Sequence, residues 1–162
     1  MPSARSATDR YAVRLALPRD IDAVHAMERA CFSDPWSHQA LAEELDRSTS
    51  FFVVAVASAE SADETVVGYA IAHAAADEAE VANVAVSPGH RGQGIGAMLV
   101  RGVLDHVRAA GALDCWLEVR ASNSAARRLY AQLGFDDVGV RKRYYARPEE
   151  DAIVMRRSLR GA

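Results

Sequence analysis

Cysteine is scarce in this chain, which has only Cys31 and Cys115 among its 162 residues. Two cysteines do not supply a disulfide framework or a cysteine-based metal site, and the five histidines are scattered. We therefore predict no metal centre, and we expect the chain to work in a reducing cytoplasm. We interpret both cysteines as packing residues, with Cys31 in a loop distant from the functional site.

Long apolar runs and a strong excess of one charge are also missing. No run approaches the roughly 20 residues that a membrane-spanning helix needs, and the first residues, M-P-S-A-R-S-A-T, lack the apolar centre of a signal peptide. The net charge is -3 and the pI about 5.9, so composition favours neither nucleic acid nor a membrane as a partner. We expect a disordered arm at 1–10 and one monomeric domain at 11–162.

Hydrophobic periodicity predicts alternating strands and helices along that domain. The expected order is β-α-α-β-β-β-α-β-α-β-β, with strands near 11–17, 51–57, 66–74, 79–86, 113–119, 138–145 and 152–157. Asp20 and Ser37 are predicted to cap the first two helices. About seven strands and about four helices in this order favour an α/β (α+β) fold with a mixed sheet.

A glycine-rich turn joins the strand at 79–86 to the next helix. It reads Arg91-Gly92-Gln93-Gly94-Ile95-Gly96, and helical periodicity begins at Ile95. Free amides at a helix N-terminus, reached through glycines, can bind phosphate. The spacing excludes a nucleotide P-loop and the G-x-G-x-x-G dinucleotide turn. A turn that only packs a helix on a sheet is the alternative.

Glu118 is the candidate general base. It shares a strand face with Trp116, opposite Cys115, because side chains alternate along a strand. A carboxylate in a central strand is costly unless it is paired or its pKa rises, and a raised pKa suits a base at neutral pH. A glutamate that faces solvent or pairs with Arg120 is the alternative.

Asn123 and Tyr130 are the other candidate site residues. They are seven positions apart, which is nearly two helical turns, so they share one helix face. Asn123 is also a sound N-cap, and Tyr130 is also suited to core packing beside Leu129 and Leu133. A phenol in this position could protonate a departing thiolate.

Several segments together resemble the RimI-type enzymes of the GCN5-related N-acetyltransferase (GNAT) superfamily. They are L-E-V-R-A-S-N-S-A-A-R-R-L-Y-A-Q-L-G-F at 117–135, N-V-A-V-S-P, R-G-Q-G-I-G, D-P-W-S at 34–37, and R-Y-Y followed by E-D-A-I-V-M. The resemblance spans about 11–157. It implies the GNAT fold, with a splayed parallel strand pair holding acetyl-CoA, and acetylation of the N-terminal alanine of a small-subunit ribosomal protein.

The resemblance also implies roles for individual residues. Glu118 would be the general base and Tyr130 the general acid, with the Val86 amide steadying the oxyanion. The implied cofactor-binding residues are Val84, Ala85, Val86, Arg91, Gly92, Gln93, Gly94, Ile95, Gly96, Ala97, Asn123 and Tyr130. Gly92 departs from the family pattern, which has a bulkier and often basic residue there. The peptide groove would lie between 31–37 and the last hairpin, walled by Phe32, Trp36, Tyr144 and Tyr145, although aromatic residues there could equally be core.

Amine chemistry favours a chain terminus as the acceptor. An α-amino group has a pKa of about 8 and lysine one of about 10.4, so far more of the former is neutral and nucleophilic at pH 7. Three alternatives remain on the sequence: a GNAT enzyme acting on lysine or a small amine, a non-catalytic acetyl-CoA-binding module, and a nucleotide-binding protein.

Overall fold

Seven strands and five helices make up the described part of the chain, residues 7–57 and 64–161, in a computed structural model. The strands are β1 (Tyr11–Leu15), β2 (Ser50–Ala57), β3 (Thr65–Ala75), β4 (Glu78–Val86), β5 (Asp114–Arg120), β6 (Asp136–Ala146) and β7 (Glu149–Ser158). The helices are α1 (Ala7–Arg10), α2 (Ile21–Cys31), α3 (His38–Asp46), α4 (Ile95–Ala109) and α5 (Ser124–Gln132). The expected α/β (α+β) fold is confirmed, since four longer helices flank one mixed sheet.

The predicted arm at 1–10 lies largely outside the described residues, which begin at residue 7. Ala7–Arg10 form a helical turn, and the Arg10 guanidinium lies 5.9 Å from the Tyr11 ring centroid. Asp20 does not cap α2 with its side chain. Its carboxylate accepts the Leu17 N–H at 2.7 Å and so supports the 3-10 turn Pro18–Asp20 that precedes α2.

Apolar side chains on the two sheet faces form two cores. On one face α4 is buried through Leu99, Val103 and Val107, and β5 adds Cys115 and other inward residues. On the other face α2 and α3 pack against strands β2 and β3, whose central residues are buried on both faces. Each fully buried aliphatic side chain contributes about 1.5–3 kcal/mol, so these two layers fix the sheet between the helices.

The sheet order is β1-β2-β3-β4-β5-β7-β6, and all neighbours are antiparallel except the parallel pair β4–β5. That pair forms only three residue pairs, from Glu78↔Asp114 to Glu80↔Trp116. Immediately afterwards β4 carries a bulge, because Ile71 pairs with Asn83 and the next residue, Ala72, pairs with Val81. A bulge bends its strand and ends regular pairing. The predicted splayed parallel pair is therefore present, and it opens beyond residue 80.

Candidate active site

The splay between β4 and β5 opens into a cleft of about 1370 Å³. Ser87 N–H donates to the Val67 carbonyl of β3 at 2.8 Å, and backbone groups alternate in direction along a strand. The backbone groups of Val84 and Val86 therefore point away from β3, toward the side where β5 has diverged. The backbone groups of Val84 and the N–H of Val86 form a strand edge on which an extended ligand could add as a strand, while the Val86 carbonyl accepts from Arg91. Ala85 instead buries its side chain in the α2–α3 core.

The glycine-rich turn lies beyond the end of β4 and leads into α4. Gly92 and Gly94 have φ values of 75° and 82°, a region that favours glycine. This backbone explains why glycine replaces the bulkier residue of the family pattern at position 92. No side chain caps α4 within the described residues, so its first amides are open to an anion. The donor set therefore fits a phosphate-bearing group.

Two side chains hold this turn in place. The Tyr11 hydroxyl donates to Gln93 Oε1 at 2.7 Å. Arg91 folds back, and its Nε donates to the Val86 carbonyl at 3.1 Å while a terminal nitrogen lies 3.4 Å from Cys31 Sγ. The Arg91 guanidinium thus joins the turn to the end of β4. The expectation that Cys31 is distant from the site is wrong, because Cys31 ends α2 and lines the cleft.

Glu118 lies on β5 and lines the cleft, with its side chain 25% exposed. Its Oε1 is 2.8 Å from Arg141 Nε, whereas Arg120 pairs with Glu150 instead. The Glu118 carboxylate also accepts a hydrogen bond from Tyr144, which raises the pKa of that phenol to about 12. The Glu118 carboxylate is therefore paired, with the Arg141 guanidinium and the Tyr144 hydroxyl as its partners, and not with Arg120.

Tyr130 lies on α5, and its ring is buried at 8% exposure with its edge toward Phe135. Burial, and to a smaller extent Tyr145, raise the pKa of Tyr130 to about 12. Its hydroxyl has no hydrogen-bond partner among the described residues, although the side chain lines the same cleft as Glu118. Tyr130 is therefore a core residue that also lines the cleft.

Asn123 caps α5, as predicted, because its Oδ1 accepts the Ala126 N–H at 3.1 Å. It also lines the cleft. Its amide is free to contact a ligand only through the nitrogen, since the carbonyl is already used by the helix.

All four predicted groove aromatics, Phe32, Trp36, Tyr144 and Tyr145, line the same cleft. The loop that carries Phe32 and Trp36 is linked to the last hairpin by Ser33, whose hydroxyl donates to the Arg147 carbonyl at 2.6 Å. Arg120 donates to the same carbonyl at 3.0 Å, and its guanidinium lies 4.2 Å from the Tyr145 ring centroid. These contacts join the two segments that carry the aromatic residues.

Glu28 is a cleft residue that sequence reasoning missed. It lies on α2 and is 1% exposed, and its carboxylate accepts hydrogen bonds from Trp36 N–H and Asn83 Nδ2. A signal was present in the sequence, because Glu28 follows Val24 by four residues and Ile21 by seven. An acid in phase with the apolar stripe of a helix must be buried and paired.

The described residues offer no group of three or more His, Cys, Asp and Glu that could hold a metal ion. Within 7–57 and 64–161, none of the helices has the length and apolar character needed to cross a bilayer.

Residues 21–135 match the model of the acetyltransferase (GNAT) family. The [ribosomal protein bS18]-alanine N-acetyltransferase of Salmonella typhimurium is 34% identical over 139 residues, which is 84% of this chain and 89% of that enzyme. The crystal structure of the Escherichia coli ribosomal-protein-S18-alanine N-acetyltransferase superposes with a TM-score of 0.81 at 30% identity, covering 94% of this chain and 96% of that one.

A more distant likeness supports the fold alone. Arabidopsis thaliana NAA60, crystallised in complex with acetyl-CoA, has a TM-score of 0.84 at 16% identity, and covers 93% of this chain and 99% of its own. Proteins of the GNAT family take their acetyl group from acetyl-CoA. The family match, the relatives and the splayed β4–β5 cleft agree with the resemblance found in the sequence, and the chain therefore belongs to the GNAT acetyltransferase family, as an N-acetyltransferase.

Proposed function

We propose that this enzyme acetylates the N-terminal amine of a protein, the alanine terminus of ribosomal protein bS18, with Glu118 as general base and Tyr130 as general acid. The observation that carries the proposal is one cleft lined at once by Glu118, Tyr130 and the four groove aromatics. Relatives named for the alanine of bS18 support the choice of acceptor.

The donor half of the site follows from the backbone of β4 and α4. Acetyl-CoA, when bound, supplies an activated thioester carbonyl. The amides of Gly92 to Ala97 would hold its pyrophosphate, helped by the α4 dipole. The backbone of Val84 and Val86 would hold the pantetheine arm, and the Val86 amide would stabilise developing negative charge on the carbonyl oxygen. Asn123 would contact the same ligand through its free amide nitrogen.

Two side chains handle the protons. Glu118 takes one proton from the incoming α-ammonium group, directly or through water, so that the nitrogen lone pair can attack. Tyr130 gives its phenolic proton to the departing thiolate and takes up the second proton that the attacking nitrogen loses as the amide forms, so the thiol, the amide and the phenol are all neutral at the end. Burial raises the pKa of Tyr130 to about 12, so its hydroxyl carries a proton at neutral pH. An α-amine with a pKa of about 8 gives up its proton more readily than a lysine with one of about 10.4, so the same carboxylate deprotonates the α-amine more easily.

The aromatic residues of the cleft would line the path of the acceptor. Phe32, Trp36, Tyr144 and Tyr145 all line the cleft that also holds Glu118. A hydrogen bond from the Ser33 hydroxyl to the Arg147 carbonyl joins the loop at 32–37 to the turn of the last hairpin.

A peptide panel tests this function. We expect coenzyme A release with a short peptide bearing the N-terminal residues of bS18, and none with the same peptide N-terminally blocked and carrying a lysine. Transfer to the blocked peptide alone would establish a lysine acetyltransferase instead. Stabilisation by ATP and not by acetyl-CoA would indicate a nucleotide-binding protein.

The Glu118→Gln variant distinguishes an acetyltransferase from a non-catalytic acetyl-CoA-binding module. We expect kcat/KM for the peptide to fall at least about 100-fold, the effect of losing a general base, while the dissociation constant for acetyl-CoA stays unchanged. Glu43→Gln is the matched control, because Glu43 is an exposed acid on α3 whose carboxylate accepts a hydrogen bond from Gln39 of its own helix. Unchanged turnover in Glu118→Gln would remove Glu118 from the chemistry.

A further inference from the structure

Glu28 sits at the meeting point of four elements. From α2 its Oε1 accepts the Trp36 N–H at 3.1 Å, and its Oε2 accepts Asn83 Nδ2 at 2.8 Å. The Tyr69 hydroxyl of β3 also donates to Oε2, and Asn83 lies 3.2 Å from that hydroxyl. One carboxylate therefore joins the acceptor side of the cleft, at Trp36, to the donor strand β4, at Asn83.

The partners of Glu28 are neutral hydrogen-bond donors. No ion pair to its carboxylate forms in the described part of the chain, and burial raises the pKa of Glu28 despite the opposing hydrogen bonds from Trp36 and Asn83. A buried acid of this kind is expensive, and an apolar residue would pack in the same place. We therefore look for its role in the groups that its three donors position.

Trp36 and Asn83, the two residues that Glu28 anchors, belong to the acceptor half and the donor half of the site. Trp36 lines the cleft, and its backbone N–H ties its part of the loop to α2 through Glu28. Asn83 follows the bulge that opens the cleft, one residue before the Val84–Val86 edge. A displacement of either anchor would change the distance between the acceptor amine and the thioester, and errors of about 1 Å in such placement lower rates strongly.

We propose that Glu28 is a positioning residue that holds the acceptor loop, residues 32–37, in register with the bulged donor strand through the Trp36 and Asn83 hydrogen bonds. This inference rests on the proposed function, because it assigns Trp36 to the peptide groove. The hydrogen-bond acceptors of Glu28 matter for this role, and its negative charge does not.

Two substitutions at position 28 distinguish the role of the hydrogen-bond-accepting oxygens of Glu28 from the role of its negative charge. Glu28→Gln keeps an oxygen for the Trp36 N–H, and a rotated Asn83 amide can accept from its new NH2 group. Glu28→Met keeps the length and removes both acceptors. We expect Glu28→Met to raise KM for the peptide about tenfold, the effect of one buried hydrogen bond, with KM for acetyl-CoA unchanged. Glu28→Gln should keep the wild-type KM for the peptide.

The control is Asp20→Asn, which alters another buried acid whose partners, Arg14 and the Leu17 N–H, lie outside the cleft. It should lower the melting temperature and leave both KM values unchanged. If Glu28→Met does not fold, Asn83→Ala serves in its place, because Asn83 is only half-buried and the change cuts the β4 connection alone. It should raise KM for the peptide severalfold.

Each other outcome overturns the inference. Equal increases in KM for the peptide in Glu28→Gln and Glu28→Met would show that the charge acts, by attracting the ammonium group. No increase in any variant, or the same increase in Asp20→Asn, would leave Glu28 with a purely structural role. A wild-type enzyme that does not acetylate peptide termini would instead contradict the proposed function, which the wild-type measurement tests separately.

Discussion

Replacing Tyr130 by Phe separates the proposed chemistry of the hydroxyl from the packing of the ring. The ring is buried and meets Phe135 with centroids 5.8 Å apart, a contact that Phe retains. The hydroxyl has no partner among the described residues, so its removal leaves no buried group without a hydrogen bond. We expect the free energy of unfolding at pH 7 to change by less than about 1 kcal/mol.

The same substitution should nearly abolish turnover. A positioned general acid contributes about 100-fold or more to the rate, so kcat of Tyr130→Phe should fall by at least that factor. Coenzyme A release at saturating acetyl-CoA and peptide measures kcat, and a melting curve on the same sample measures stability. Turnover within about threefold of the wild type, with stability unchanged, would refute the assignment of Tyr130 as the acid.

Alkaline unfolding gives a second readout of the same hydroxyl. The phenol has an ordinary pKa of 10.0 in the unfolded chain, and burial raises the pKa of Tyr130 to about 12 in the folded protein. Because the unfolded state loses this proton first, stability falls as the pH rises, by about 3 kcal/mol across the interval. Denaturant unfolding at several alkaline pH values should show a shallower decline in Tyr130→Phe. Equal declines would mean that the hydroxyl is not buried as the structure has it.

Two further predictions concern the scaffold. Gly68→Ala should lower the free energy of unfolding by about 1–3 kcal/mol, because its Cβ would lie 2.9 Å from Leu99 Cδ1, whereas Gly89→Ala meets nothing within 4 Å and should be neutral in the same denaturant titration. Asp20→Asn should destabilise at pH 7, since hydrogen bonds from Arg14 and the Leu17 amide hold the pKa of Asp20 below its ordinary value even though burial alone would raise it. That stabilisation exists above about pH 4 and disappears as the pH falls through the lowered pKa of Asp20. The difference in unfolding free energy between Asp20→Asn and the wild type should therefore shrink in acid. A difference that does not change with pH would contradict the ion pair with Arg14.

Features that depend on near neighbours could be predicted from the sequence. Strict alternation in β5 puts Trp116 and Glu118 on one face and Cys115 on the other, and burial follows the same period. Ser37 and Asn123 cap their helices with side-chain oxygens because an N-cap bonds an amide three residues on. Each of these features is decided within one strand or one helical turn.

Features that depend on distant contacts could not be predicted. Glu118 pairs with Arg141, 23 positions away on β6, and β6 carries two register shifts, one between Asp137 and Gly139 and one between Arg141 and Tyr145. Glu28 reaches Asn83 across 55 positions, and Cys31 reaches Arg91 across 60. Local sequence patterns carry no information on how far a bulge displaces a strand, and these partners follow from such displacements.

The bulge in β4 connects the two halves of the site. It ends the β4–β5 ladder after Glu80 and brings Asn83 to Glu28. Each ladder hydrogen bond contributes about 1 kcal/mol, so pairing β5 with Val84–Val86 would stabilise the sheet and leave no room between the strands. A cleft that admits an extended ligand beside Val84–Val86 needs free backbone groups on a strand whose position is fixed. The bulged strand supplies the free groups, and the buried carboxylate of Glu28 supplies the anchor that a neighbouring strand would otherwise provide.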